Sequence, residues 1–193
     1  MKKAITALIT ESITTKQQLL EPAQIDTLEK IAVMMINAYK NGKKTVMFGN
    51  GGSASDAQHF AAELVCRFEV NRKALPSLAF TTNTAVLTAI GNDFSYDEVF
   101  ARQVEALVVP GDVVVGISTS GNSPNVLKGF QKAREIGAHT VGFTGNRECK
   151  LPEAAELCFC APSAITGRIQ ECHILAIHII CRLIEQALFG TAA

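Results

Sequence analysis

Apolar and polar positions along the chain follow two alternating patterns. Continuous apolar runs of strand length are separated by segments in which apolar residues recur every three or four positions. Uninterrupted apolar runs are typical of parallel strands that are covered on both faces. The runs span 44–50, 76–82, 112–118, 139–145 and 156–162, and the helix-like segments between them span 53–69, 84–91, 96–107 and 124–136. This alternation predicts an α/β fold, a doubly wound five-stranded parallel sheet flanked by helices.

Helical patterns lie on both sides of this predicted core. Pro22 divides the N-terminal segment, about residues 3–40, and suits the first turn of a second helix. Asn41-Gly42 is a typical helix end, and a long final helix is expected over about 167–188. The α/β core then spans about 44–165. A chain of 193 residues without repeats or an obvious linker is expected to form one domain, 1–193.

Composition and charge narrow the class of protein. Apolar residues make up 48% of the chain, charged residues 19%, and the formal net charge is zero. This balance is typical of a globular protein and offers no broad attraction to nucleic acid or membrane. Thr6 and Thr10 interrupt the N-terminal apolar stretch, and the most apolar window, 174–184, contains His178 and Arg182 and is too short to span a bilayer. We therefore expect a cytoplasmic protein that binds neither nucleic acid nor membrane.

Hydroxyl side chains are concentrated after the third apolar run. Ser118, Thr119, Ser120 and Ser123 fall within six residues, directly before a predicted helix that begins at Pro124. The free N–H groups and the positive dipole end of a helix N-terminus attract anions, and hydroxyls add neutral donors. The segment is therefore a candidate phosphate site, although it matches neither a Walker A loop nor a GxGxxG fingerprint. The alternative is a serine-rich connector in which Ser123 only caps the helix.

A glycine-rich turn at 49–52 follows the first apolar run and leads into the next predicted helix. Ser53 and Asp56 resemble a capping box, which places the helix start near residue 54. His59 and Glu63 lie one helical turn apart on the face opposite the apolar stripe, where their side chains are neighbours. Such a pair suits metal binding or acid–base chemistry. The alternative is an ordinary solvated face.

The last predicted helix is apolar on nearly all sides. Helices of this kind are buried on more than one side, which in a chain of this length predicts packing between subunits. His178 falls among apolar neighbours, so its imidazole needs a hydrogen bond, a carboxylate or a metal as a partner. The main apolar stripe of this helix consists of Ile169, Cys172, Ala176, Ile180, Leu183 and Ala187. His173 lies on this stripe, and we expect a hydrogen-bonded core histidine there.

Five segments, taken in order, resemble the phosphoheptose isomerase family of the sugar-isomerase (SIS) domain superfamily. The resemblance extends over about residues 1–189. The hydroxyl-rich turn alone is typical of the superfamily, whereas HFAAEL together with the final RIQ and its histidine is more specific. The segments are GNGGSA, DAQHFAAEL, AIGNDF, GISTSGNSPNV and RIQECHILAIHII.

The resemblance implies an aldose–ketose isomerase that converts sedoheptulose 7-phosphate to D-glycero-D-manno-heptose 7-phosphate through an enediol. This is the first step in making the ADP-heptose precursor of the lipopolysaccharide core. It also implies a homotetramer with active sites near subunit interfaces and one Zn²⁺ per subunit. The implied catalytic pair is Glu63 and His178, and the implied metal ligands are His59, Glu63, Gln170 and His178. The implied substrate-binding residues are Asn50, Gly51, Gly52, Ser53, Glu63, Asn92, Asp93, Ser118, Thr119, Ser120, Ser123 and Gln170.

The spacing of Gln170 and His178 and the residue at position 167 fit the family pattern less simply. Gln170 and His178 are eight residues apart, which is ~12 Å along a helix. Both reach one metal only if it lies between them or if Gln170 stands at a frayed helix start, and spacing alone favours His173 as the partner of Gln170. Some members of the family carry an acidic residue where this chain has Gly167, which leaves the role of that acid open here.

Two other functions remain compatible with parts of the pattern. The superfamily includes regulators without acid–base residues, among them a factor that binds a replication-initiation protein, and TNTAVLTAI (82–90) resembles that factor. The joint presence of Glu63 and His178 argues against a regulator. An isomerase for another sugar phosphate, such as a pentose phosphate, would share both turns and differ in pocket depth.

Overall fold

The computed structural model describes residues 1–190 and contains one sheet of five parallel strands. The strands lie in the order β2-β1-β3-β4-β5, which confirms the predicted doubly wound sheet. The edge strand β2 is much shorter than its apolar run. The strands are β1 (Thr45–Gly49), β2 (Ser77–Ala79), β3 (Val113–Ile117), β4 (His139–Gly145) and β5 (Leu157–Ala161).

Helices connect the strands and extend the fold at both ends. Pro22 is the first residue of α2 and Pro124 the first of α6, as the sequence predicts. Short 3₁₀ turns, Gln18–Leu20 and Tyr96–Glu98, precede α2 and α5. The helices are α1 (Lys2–Gln17), α2 (Pro22–Lys40), α3 (Gly52–Val65), α4 (Thr84–Asp93), α5 (Ala101–Leu107), α6 (Pro124–Ile136), α7 (Leu151–Ala154) and α8 (Thr166–Phe189).

Two apolar cores cover the two faces of the sheet. On one face, α2, α3 and α8 pack over side chains such as Met47 and Phe143. On the other face, α5 and α6 pack over Phe48 and Val114, and the Phe48 ring stacks on Phe100 with centroids 4.7 Å apart. Burial on both faces explains why the strands read as continuous apolar runs.

The third helix differs from its predicted range of 53–69. It ends at Val65, because the chain then turns through residues 66–72 and binds the side of α8 instead of continuing the helix. The predicted helix over 96–107 is a 3₁₀ turn followed by α5, and the short α7 has no counterpart among the predicted helices.

The final helix packs in a broader way than its predicted stripe. Leu183 and Ala187 were expected in the stripe but are exposed, whereas Ile177 and Cys181 are buried. By length and composition alone, α8 is the one helix among the described residues that is apolar enough to cross a membrane. It packs against α2 and α3 in the core, and core helices of soluble proteins share this composition.

The sheet order places the two polar turns side by side. β1 and β3 are hydrogen-bonded neighbours, with Gly49 opposite Ile117 at their carboxyl ends. The helix that follows β1 packs on one face of the sheet, and the helix that follows β3 packs on the other. In open α/β sheets, ligands bind in the crevice that opens at such a switch point.

Candidate active site

The hydroxyl-rich turn after β3 is folded around Ser118. Its Oγ lies 2.9 Å from the Oγ of Ser123 and 3.3 Å from the Oγ of Ser120. The N–H of Gly121 donates to the same Oγ over 3.1 Å, and Gly121 has a φ of +65°. Because Ser123 forms the N-cap of α6 without a side-chain cap bond, its hydroxyl is directed into the turn. Hydroxyls and free helix N–H groups that converge in this way suit an anion such as phosphate.

The glycine-rich turn after β1 is tied to its neighbours through Asn50. The amides of Asn50 and Asn125 exchange two hydrogen bonds of 2.9 Å, and the Tyr96 hydroxyl donates to the Oδ1 of Asn50 over 3.1 Å. Asn125 and Tyr96 belong to this site although neither was predicted from the sequence. Asn125 belongs to the GISTSGNSPNV segment that follows β3, whereas Tyr96 lies in the 3₁₀ turn after α4 and carries no comparable sequence signal.

The start of α3 differs from the predicted capping box. Gly51 is the N-cap, with a φ of +56° that favours glycine, and the helix begins at Gly52 rather than near residue 54. Ser53 is buried in the first turn and makes no side-chain cap bond. The Asp56 Oδ2 is buried without a hydrogen-bond partner among the described residues; burial raises the pKa of this carboxyl, and the nearby His59 opposes the shift.

Three predicted ligands meet between α3 and α8. The Nε2 of His59 lies 2.8 Å from the Oε1 of Glu63, one turn further along α3. The Nε2 of His178 on α8 lies 3.5 Å from the Nε2 of His59. All three groups offer a ligand atom within 4.8 Å of the others. The Phe68 ring lies beside the cluster, with its centroid 5.4 Å from that of His178.

This donor set fits a zinc ion. Two imidazole nitrogens and one carboxylate are common ligands of catalytic zinc, which keeps a further position for substrate. The His59 Nε2 lies close to both the Glu63 Oε1 and the His178 Nε2, so one cation between them would take a lone pair from all three atoms. The cluster lies at the surface of this chain, with the His59 side chain 43% exposed and that of Glu63 22% exposed.

The fourth predicted ligand, Gln170, lies beside the glycine-rich turn. A Cβ at position 52 would collide with the amide nitrogen of Gln170, so glycine permits this close approach. Gln170 is the fifth residue of α8, inside regular helix and not at a frayed start. Since Gln170 lies next to Gly52 and His178 next to His59, α3 and α8 run parallel, and the cluster stands ~10 Å further along α3. A ligand role for Gln170 stays a prediction.

Asn92 and Asp93 lie at the exposed end of α4. The Asn92 side chain donates to the Asp93 carboxylate over 2.8 Å. Among the described residues, neither side chain hydrogen-bonds to the turns or to the histidine cluster. Their substrate-binding role stays a prediction that rests on the resemblance.

His173 confirms the expectation of a core histidine. It is fully buried, and its Nε2 donates to the carbonyl oxygen of Thr144 over 3.1 Å. Burial lowers the pKa of His173 to about 4, partly offset by this hydrogen bond. His173 is thus neutral at physiological pH and lies apart from the cluster.

The fold and the two turns define the class of protein. Residues 10–145 match the family model of the SIS domain, which is more than half of the chain. The solved structure of a phosphoheptose isomerase from Neisseria gonorrhoeae superposes with a TM-score of 0.90 at 40% identity, over 96% of this chain and 98% of that one. This chain is therefore a SIS-domain protein.

Sequence relatives narrow the class further. The chain is 49% identical to the phosphoheptose isomerase of Clostridium acetobutylicum, over 98% of this chain and 97% of the relative. It is 53% identical to the phosphoheptose isomerase of Aquifex aeolicus, over 81% and 82% of the two chains. The chain belongs to the phosphoheptose isomerase family, as the five motifs predicted.

Proposed function

We propose that this protein is an isomerase that interconverts sedoheptulose 7-phosphate and D-glycero-D-manno-heptose 7-phosphate. The observation that carries the proposal is the His59–Glu63–His178 cluster beside an anion-binding turn, at the switch point of the sheet. Relatives of near-equal length that bear the name phosphoheptose isomerase support the reaction class. The product would be the first intermediate towards ADP-heptose for lipopolysaccharide.

The two groups of residues are separated by a length that suits a seven-carbon substrate. The turns at 50–53 and 118–123 hold the phosphate, and His59 of the cluster stands ~10 Å beyond Gly52 along α3. An extended heptose phosphate has a comparable length between its phosphate and its reacting carbons. A pentose phosphate is two carbons shorter, which favours the heptose over the alternative isomerase.

Glu63 and His178 carry out the proton transfers in this proposal. Isomerisation needs a base that reaches both reacting carbons and a partner for the two oxygens. Glu63 moves the proton between the carbons, and His178 shuttles a proton on the oxygen side. A zinc ion held by His59, Glu63 and His178 would polarise the carbonyl. Gln170 is the proposed fourth ligand, which requires the ion to lie between Gln170 and His178, since the two residues stand ~12 Å apart along α8.

Glu63 can serve both purposes if each of its oxygens has one role. Its Oε1 is bonded to His59, whereas Oε2 has no hydrogen-bond partner among the described residues. A carboxylate that binds metal through one oxygen keeps the other for the proton, although metal binding weakens it as a base.

We also propose a cytoplasmic homotetramer. On α1, four apolar side chains at helical spacing are about half exposed: Ile5, Leu8, Ile9 and Ile13. A row of this kind is costly in water and is typical of helices that pack against another subunit. The exposed position of the histidine cluster is compatible with an active site near such an interface.

Metal removal tests the proposed chemistry. We expect purified protein to form aldose from sedoheptulose 7-phosphate, to lose turnover after treatment with a strong chelator, and to regain it with Zn²⁺. The reason is that carbonyl polarisation depends on the cation. Unchanged turnover in metal-free protein would remove zinc from the mechanism, and no turnover with zinc would favour the non-enzymatic regulator.

A further inference from the structure

A buried ion pair lies at the C-terminal end of α3, beyond the histidine cluster. The Nε of Arg72 contacts the Oε1 of Glu185 over 2.8 Å, and the two side chains are 1% and 2% exposed. Glu185 also accepts hydrogen bonds of 2.8–3.0 Å from the N–H groups of Phe68, Glu69 and Val70. Buried charges are expensive unless their hydrogen bonds are satisfied, and this carboxylate has four donors.

Arg72 holds the end of α3. Its Nη2 donates to the carbonyl oxygen of Glu63 over 2.9 Å, and its Nη1 donates to that of Leu64 over 2.8 Å. The last carbonyls of a helix lack partners within the helix, and a cation at that end is favourable. The guanidinium therefore fixes the backbone of the residue proposed as the base.

Glu185 fixes the other side of the cluster. It lies seven residues, or two turns, after His178 on α8, so both side chains stand on one face of that helix. The same carboxylate holds the backbone of Phe68, whose ring lies against the His178 imidazole. One ion pair thus connects α3, α8 and the segment 66–72, whose Phe68 ring lies beside His178.

We propose that Arg72 and Glu185 are positioning residues that set the distance between Glu63 and His178 and so tune metal affinity and turnover. The roles of Glu63 and His178 in this statement rest on the proposed function. Groups that orient metal ligands typically change metal affinity or activity ~10- to 100-fold when they are altered. The alternative is an ion pair that only stabilises the fold.

The test compares Glu185→Gln with a matched buried carboxylate. Asp112 is 1% exposed, pairs with Lys44, and accepts from the N–H groups of Lys44 and Val109 at the opposite end of the sheet. We expect Glu185→Gln to weaken Zn²⁺ binding ~10- to 100-fold, measured by competition with a chromophoric chelator, and to lower kcat more than it raises KM. Asp112→Asn should lower the Tm and leave Zn²⁺ affinity and kcat unchanged.

Arg72→Lys is a second variant that tests the same inference if Glu185→Gln does not fold. Lysine keeps the charge beside Glu185, but one ammonium group cannot also bond the carbonyls of Glu63 and Leu64. We expect a smaller loss of Zn²⁺ affinity in the same direction. A folded Glu185→Gln or Arg72→Lys protein with wild-type Zn²⁺ affinity and kcat would overturn the inference. A wild-type protein that neither binds Zn²⁺ nor turns over the sugar would instead overturn the proposed function.

Discussion

Glu63 is the residue on which the proposed chemistry depends most. We expect Glu63→Gln to lower kcat by at least ~10²-fold, because the amide keeps the size of the side chain and cannot act as a general base. The measurement is aldose formation from sedoheptulose 7-phosphate with excess Zn²⁺, together with the Tm to show that the fold survives. Glu69→Gln is a suitable control, since Glu69 pairs with Arg182 on the surface of the same region. A near-normal rate in Glu63→Gln would remove Glu63 from this role.

His173 predicts part of the pH dependence of stability. Its pKa is about 4 in the folded protein, against an ordinary value near 6.5, so the unfolded chain binds the proton more readily. The contribution of His173 to the free energy of unfolding is fully present above pH ~6.5. It is lost as the pH falls towards 4, and the total loss is at most about 3 kcal/mol. In urea unfolding between pH 7 and 4.5, we expect the free energy of unfolding to fall less steeply with pH in His173→Gln than in the wild type. Equal slopes for the two proteins would contradict the assignment.

At the scale of the elements, the parallel pair α3 and α8 organises the site. The two helices are in close contact where Gly52 lies against Gln170. We expect Gly52→Ala to fold with an unchanged or higher Tm, because alanine favours a helix, and to lower kcat/KM ~10-fold or more through displacement of Gln170. The check is a double-mutant cycle: Gly52→Ala combined with Gln170→Ala should be no worse than Gln170→Ala alone. Additive losses of kcat/KM in the double mutant would show that Gly52→Ala does not act through Gln170.

The elements also show what the sequence could predict. Strand positions followed from continuous apolar runs, since burial on both faces leaves a local signal. The sequence did not predict the end of α3 at Val65. This end depends on Arg72 and Glu185, which are 113 residues apart and resemble ordinary surface charges in the sequence. Likewise, spacing within α8 favoured His173 beside Gln170, whereas the packing of α8 against α3 brings His178 to the cluster and leaves His173 in the core.

At the scale of the whole molecule, the apolar row on α1 predicts assembly. The apolar composition of α8 predicted a subunit contact on that helix, but the core of this chain already covers much of it. We expect Ile9→Asp to shift the protein to smaller species in size-exclusion chromatography with light scattering, because a charge is costly in an apolar interface. Thr14→Asp, on the other side of α1, should leave the mass unchanged. The same mass for Ile9→Asp and wild type would argue against an interface on this row.

The central claim is that the separation between turns and cluster selects a seven-carbon sugar phosphate. The most direct measurement is kcat/KM of the purified, zinc-loaded protein with sedoheptulose 7-phosphate and with a pentulose 5-phosphate. We predict turnover of the heptulose and a preference for it of at least ~10²-fold, since a misplaced reacting carbon lowers the rate by about that factor. Equal or faster turnover of the pentulose, or no turnover of either sugar, would contradict the account.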